Sequence, residues 1–78
     1  MTNTSPQHQY LTELISFTER YVADLETVEE HAHYYQERLP DTMKSQKDSN
    51  QMINNHLDNV IAQLRVNLCT YRLMLEKL

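Results

Sequence analysis

The chain has 78 residues with one cysteine, no glycine, no tryptophan and a formal net charge of −4. This length allows one small domain at most, and a lone cysteine excludes an internal disulfide or a cysteine-based zinc site. The mild acidic charge disfavours nucleic-acid binding, and no apolar run is long enough to predict a membrane span.

Residues 1–6 are small and polar, and their composition predicts a flexible N-terminal tail. They contain neither the basic region nor the apolar region of a signal peptide. The single cysteine also fits a reducing compartment, so we expect a cytoplasmic protein. Ser5 followed by Pro6 has the pattern of a helix N-cap with proline at the first helical position.

Residues 7–39 contain neither glycine nor proline, which predicts one long helix. A heptad pattern places Leu11, Thr18, Leu25, Ala32 and Leu39 at one core position of this helix. It places Leu14, Tyr21, Val28 and Tyr35 at the other. Ile15 and Val22 widen the seam, and no glutamate is expected to point inward. Such a sustained pattern is typical of a coiled coil.

Pro40 lacks a backbone donor and disfavours a helical conformation at the residue before it. We therefore place a turn at residue 40. A second helix is predicted over about 41–77, with Asp41 or Thr42 as its cap. Asp48 or Ser49 could instead cap a later start, so the helical state of 41–50 is open.

The last third of the chain, 57–78, carries apolar residues on two opposite sides of the predicted helix. One side covers the first helix. The other, which we name the C-terminal stripe, has no partner within the chain and predicts an oligomer interface. Cys69 is interpreted there as a small hydrophobic residue. The C-terminal stripe consists of Ala62, Val66, Cys69 and Leu73.

Together these elements predict an all-α fold, a coiled-coil-like antiparallel hairpin of two helices that forms a single domain over 7–78. Two copies would dimerise into a four-helix bundle. The predicted hairpin core consists of Leu11, Leu14, Tyr21, Leu25, Val28, Leu57, Val60, Leu64, Leu68, Tyr71 and Leu75.

Asn67 has two interpretations. It occupies a core-type position, where a buried amide can fix the register of a coiled coil. Alternatively, it lies at the edge of the seam while Leu68 fills the core.

Three groups of residues near the turn could carry chemistry. Glu30-x-x-His33 has the spacing used by di-iron bundles, but it is expected to face solvent. His31 and His33 lie among glutamates, which favour the imidazolium form, so a pH-sensitive face is an open question. Tyr34, His31 and Arg38 form a candidate partner patch, since Tyr and Arg are common interface anchors.

No arrangement of nucleophile and base, and no glycine-rich phosphate loop, can be assembled from this sequence. We therefore predict no enzyme, no cofactor and no metal. The predicted function is a non-enzymatic protein–protein interaction module, an adaptor, inhibitor or assembly subunit, which self-associates through its C-terminal helix. One alternative is a co-chaperone that covers a helix of another protein, and a second is a metal-binding four-helix protein.

The general plan of a small helical hairpin resembles two groups of proteins. One comprises small secreted hairpins with a Trp-x-Gly turn, which this chain lacks because it has neither residue. The other comprises the small helical co-chaperones of type III secretion, with which it shares no motif. These resemblances concern the fold, and fold alone does not establish function.

Overall fold

The computed structural model describes residues 5–78. Helix α1 spans Pro6–Arg38 and helix α2 spans Lys44–Glu76, with a short 3₁₀ turn at Asp41–Met43 between them. The predicted all-α fold with two helices is confirmed. Residues 1–4 of the predicted tail lie outside the described part of the chain. Within that part, neither helix is long and apolar enough to cross a membrane.

The N-terminus of α1 has the predicted cap. The backbone N–H of His8 donates a 3.0 Å hydrogen bond to Ser5 Oγ, and Pro6 is the first helical residue. Proline is tolerated there because the N–H that it lacks has no partner within a helix. Pro6 therefore belongs to the helix and not to the tail.

The turn between the helices differs from the prediction at its caps. Leu39 is extended, with φ −70° and ψ 127°, as expected before Pro40. Neither Asp41 nor Thr42 caps α2, whose first residue is Lys44 and whose start has no side-chain cap. Asp41 instead accepts a 2.8 Å hydrogen bond from Lys47 Nζ, so its carboxylate is committed to an ion pair.

The seam between the helices follows a regular alternation of three- and four-residue steps on both of them. The least exposed apolar side chain is Ile61, and it packs with Val22 and Leu68. Ile15, Leu25 and Leu64 are partly buried against this cluster. The seam positions are 11, 15, 18, 22, 25, 29, 32, 36 and 39 of the first helix, and 47, 50, 54, 57, 61, 64, 68, 71 and 75 of the second.

This seam corrects the predicted hairpin core. Tyr21 and Val28 remain 54% and 51% exposed, so they lie outside the core of the single chain. Their places are taken by Val22 and Glu29, one residue further along the helix. A tyrosine buried in the seam would need a partner for its hydroxyl group, whereas a valine needs none.

The other predicted core residues border or enter the seam. Leu11, Leu57 and Leu68 are buried, whereas the rest are half-buried. The half-buried group consists of Leu14, Leu25, Val60, Leu64, Tyr71 and Leu75.

The half of the seam nearest the turn is polar. Asn50 Nδ2 donates hydrogen bonds to the backbone oxygen of Ala32, at 2.9 Å, and to Gln36 Oε1, at 2.8 Å. Asn54 is fully buried, and the half-buried Glu29 occupies a seam position of α1. A glutamate thus occupies a seam position, although its carboxyl group bonds to the exposed Asp58. The apolar core lies in the half of the hairpin nearest the chain termini.

Candidate interaction surfaces

One side of the hairpin carries charged pairs between the helices, and we name it the ion-pair flank. Arg72 donates to Glu19 at 2.9 Å, and Arg65 donates to Glu26 at 2.7 Å. The pairs recur every seven residues, and their order along the two helices shows that α1 and α2 are antiparallel. Each is exposed, so each contributes at most about 1 kcal/mol to stability.

On the opposite side of the hairpin, the ten positions that border the seam carry no charge, and we name them the apolar flank. Its positions border the seam of each helix on the side away from the ion pairs. Seven of its ten residues are apolar, and the others are polar and uncharged. The apolar flank consists of Gln7, Leu14, Tyr21, Val28 and Tyr35 of α1, and of Gln46, Ile53, Val60, Asn67 and Met74 of α2.

Two open grooves show that both helices contribute to this flank. Near the turn, Tyr35 and Ile53 line one groove. Near the termini, Tyr10 lines another together with Met74 and Leu78. Aromatic and aliphatic side chains thus face solvent at both ends of the same flank. Sequence reasoning missed this surface because it assigned Tyr21 and Val28 to the core.

The structure leaves the C-terminal stripe exposed in the single chain. Val66 is 59% exposed and Leu73 is 56% exposed, and Ala62 and Cys69 are also exposed. The stripe lies on the side of α2 that faces away from α1. It therefore offers four accessible side chains to another polypeptide.

The candidate partner patch near the turn comes together as a set of contacts. The guanidinium carbon of Arg38 lies 3.5 Å from the centre of the Tyr34 ring. Tyr34 meets Tyr35 edge to face at 5.8 Å, and His31 lines a shallow groove with both tyrosines and Glu30. The three side chains of the candidate partner patch therefore lie side by side on the surface of α1.

The structure groups His33 with different carboxylates from those that the spacing suggested. One ligand atom each from Glu29, His33 and Asp58 lies within 4.8 Å of the others. Asp58 raises the pKa of Glu29, first through a side-chain hydrogen bond and also through its like charge. Oxygen and imidazole donors suit zinc, but exposed acidic groups often meet in this way without an ion. Glu30 is exposed and takes no part in this cluster.

Two asparagines differ in their position relative to the seam: Asn67 lies at its edge and Asn54 lies within it. Asn67 is half-buried and accepts a 3.0 Å hydrogen bond from Gln63 Nε2, while Leu68 fills the core. The edge interpretation of Asn67 therefore holds. Asn54 is the fully buried one, and neither polar atom of its side chain has a hydrogen-bond partner. Asn54 lies seven residues before Ile61 and fourteen before Leu68, so the heptad spacing of the buried residues was the signal that could have marked it.

The chain was compared with known protein families, with curated proteins and with solved structures, and none of the three comparisons found a match.

Proposed function

We propose that this chain is a non-enzymatic protein–protein interaction module that associates with itself. The observation that carries the proposal is the number of large apolar side chains that the two helices leave facing solvent. Tyr21, Tyr35 and Ile53, all on the apolar flank, are 54%, 61% and 53% exposed. Contiguous apolar patches on the surface of a small protein mark interaction sites, whereas single exposed apolar residues do not.

The size of the core supports association. Among the described residues, five apolar side chains are buried: Leu11, Val22, Leu57, Ile61 and Leu68. A core of this size gives a small domain little stability by itself, and oligomerisation is a common remedy. Burial of apolar area contributes about 25 cal/mol per Å², so covering the exposed side chains would add the missing stability.

Sedimentation equilibrium over a wide range of protein concentrations tests the proposal. We expect an oligomer, with a dimer as the smallest species, and a helical signal that decreases as the oligomer dissociates. A chain that stays monomeric and fully helical at every concentration would contradict self-association. A monomer that folds only when one particular partner is added would instead support the co-chaperone alternative.

A further inference from the structure

The apolar flank is the surface through which the proposed self-association can occur. We infer that a second copy of the chain docks on the apolar flank, so that two hairpins form a four-helix bundle. The inference rests on the proposed self-association and specifies which face of the hairpin takes part. It differs from the sequence-based prediction, which placed the contact on the C-terminal stripe.

The distribution of charge separates the two sides of the hairpin. The sequence contains seven Lys and Arg residues and eleven Asp and Glu residues, yet none lies at the ten positions of the apolar flank. The opposite flank carries the pairs of Glu19 with Arg72 and of Glu26 with Arg65. A face that can be buried must avoid unpaired charges, since each would lose its water without compensation. The apolar flank meets this requirement along the full length of the hairpin.

The position of the flank around each helix also fits a bundle. Flank residues such as Val28 and Val60 lie roughly 75° around the helix axis from the seam, by heptad geometry. In a four-helix bundle, each helix contacts one neighbour within its hairpin and another about a quarter turn away. The C-terminal stripe lies roughly 150° from the seam and belongs to α2 alone. A contact through the stripe would leave α1 without a second neighbour.

The available area favours the flank as well. Each 33-residue helix is about 50 Å long, and the hairpin is 16 Å wide. The face shared by both helices therefore covers about 800 Å², which equals the ~800 Å² that each partner buries in a stable interface. The stripe runs over residues 62–73, which corresponds to roughly 17 Å of helix about 10 Å wide. Its area is therefore several times too small to hold a dimer alone.

A second copy is the occupant that this surface fits best. Both helices have 33 residues, so two hairpins can cover each other's flank from end to end. The flank has no charge with which to select an acidic or a basic partner. Dimers with two-fold symmetry use one patch on both subunits, and an uncharged patch meets its own copy without repulsion.

Charge substitutions at matched exposure test the inference. Val28→Asp and Ile53→Asp place a carboxylate on the flank, one on each helix, at residues that are 51% and 53% exposed. Val66→Asp is the control on the stripe, at 59% exposure. We expect each flank variant to raise the dissociation constant of the dimer by about 100-fold or more, because the dimer would bury two unpaired carboxylates. The control should leave the dissociation constant unchanged. Sedimentation equilibrium and circular dichroism report assembly and helix content.

The native cysteine allows a second test on the wild-type chain, so the result does not depend on whether a variant folds. Cys69 lies on the stripe, near its centre, and is exposed. In a dimer formed through the flank, the two Cys69 thiols lie on outer surfaces, so diamide should produce little covalent dimer. Rapid and complete crosslinking of the assembled protein through Cys69 would overturn the inference.

The outcomes separate the inference from the proposed function. An oligomer that persists in Val28→Asp and Ile53→Asp but dissociates in Val66→Asp would overturn the flank and leave self-association standing. A wild-type chain that is monomeric at every concentration would overturn both. If Val28→Asp and Ile53→Asp dissociate while Val66→Asp stays assembled, the result supports both the flank as the interface and self-association.

Discussion

At the scale of single residues, Asn54 is the most unusual feature of the hairpin. It is the one buried polar side chain in the described part of the chain, and both of its polar atoms lack partners. A buried amide without hydrogen bonds costs about 1–3 kcal/mol. Polar residues at such positions in coiled coils fix the register at the expense of stability. Asn54 has the position and the burial required for that role.

We expect Asn54→Leu to raise the free energy of unfolding by about 1–3 kcal/mol, because leucine leaves no polar atom unpaired. Urea unfolding at fixed protein concentration, followed by circular dichroism, measures the change. Asn55→Leu is the control, since Asn55 is the exposed neighbour. A loss of stability in Asn54→Leu would contradict this expectation.

Glu29 gives the hairpin a dependence on pH. The side-chain hydrogen bond with Asp58, the loss of solvent around the carboxyl group and the like charges of Asp58 and Glu26 raise its pKa, while His33 acts in the opposite direction. A carboxyl group whose pKa is raised on folding binds its proton more tightly in the folded state. Its contribution to stability therefore grows as the pH falls through the raised pKa, and disappears above it.

We accordingly expect Glu29→Gln to stabilise the hairpin at neutral pH, since the amide cannot repel Asp58. The difference from wild type should narrow as the pH falls through the raised pKa of Glu29, because the protonated group no longer repels Asp58. Thermal unfolding at a series of pH values measures both effects. Glu30→Gln, at an exposed position beside it, should change little. A gap that widens on acidification would contradict this account.

At the scale of the helices, local sequence determines where α1 begins and ends, but it does not determine which face of the helix is buried. The start of α1 was predictable, because Ser5 and Pro6 act within one turn of the helix. Its end before Pro40 was predictable for the same reason. Which residues of α1 form the seam was not predictable from the sequence. Both the set containing Tyr21 and the set containing Val22 have heptad spacing, and only the position of α2 decides between them.

The N-cap of α1 can be tested directly. We expect Ser5→Ala to lower the free energy of unfolding by about 0.5–2 kcal/mol, because the N–H of His8 loses its acceptor. The same substitution in the middle of the helix, Ser16→Ala, should be neutral or slightly stabilising, since alanine favours helix. Chemical unfolding of both variants gives the comparison. Equal effects at the two sites would show that the cap is not formed in solution.

At the scale of the whole molecule, the hairpin has two unlike halves. Near the termini the seam is apolar and contains Val22, Ile61 and Leu68. Near the turn it contains Asn50 and Asn54, which contribute less to packing. Regions with few buried apolar contacts open more readily than the rest of a protein.

We expect amide hydrogens of residues 26–36 and 46–56 to exchange faster than those of 13–23 and 60–70. The reason is that the half near the turn can open without exposing the apolar core. Hydrogen exchange followed by NMR resolves the two halves within one molecule. Uniform protection along both helices would show that the hairpin opens only as a unit.

The sequence by itself determined the local features of this protein. The absence of glycine, the two prolines and the apolar periodicity predicted two long helices and one turn, because these depend on preferences within a few residues. The short turn between helices of similar length then predicted their antiparallel pairing. Only the tertiary structure decided which heptad set faces the partner helix. In the set that faces α2, Tyr21 and Val28 lie on the apolar flank and outside the core. Asn54 is buried, and Glu29 lies beside Asp58. Each of these outcomes depends on the rotation of one helix against the other, which the pattern of either helix alone does not fix.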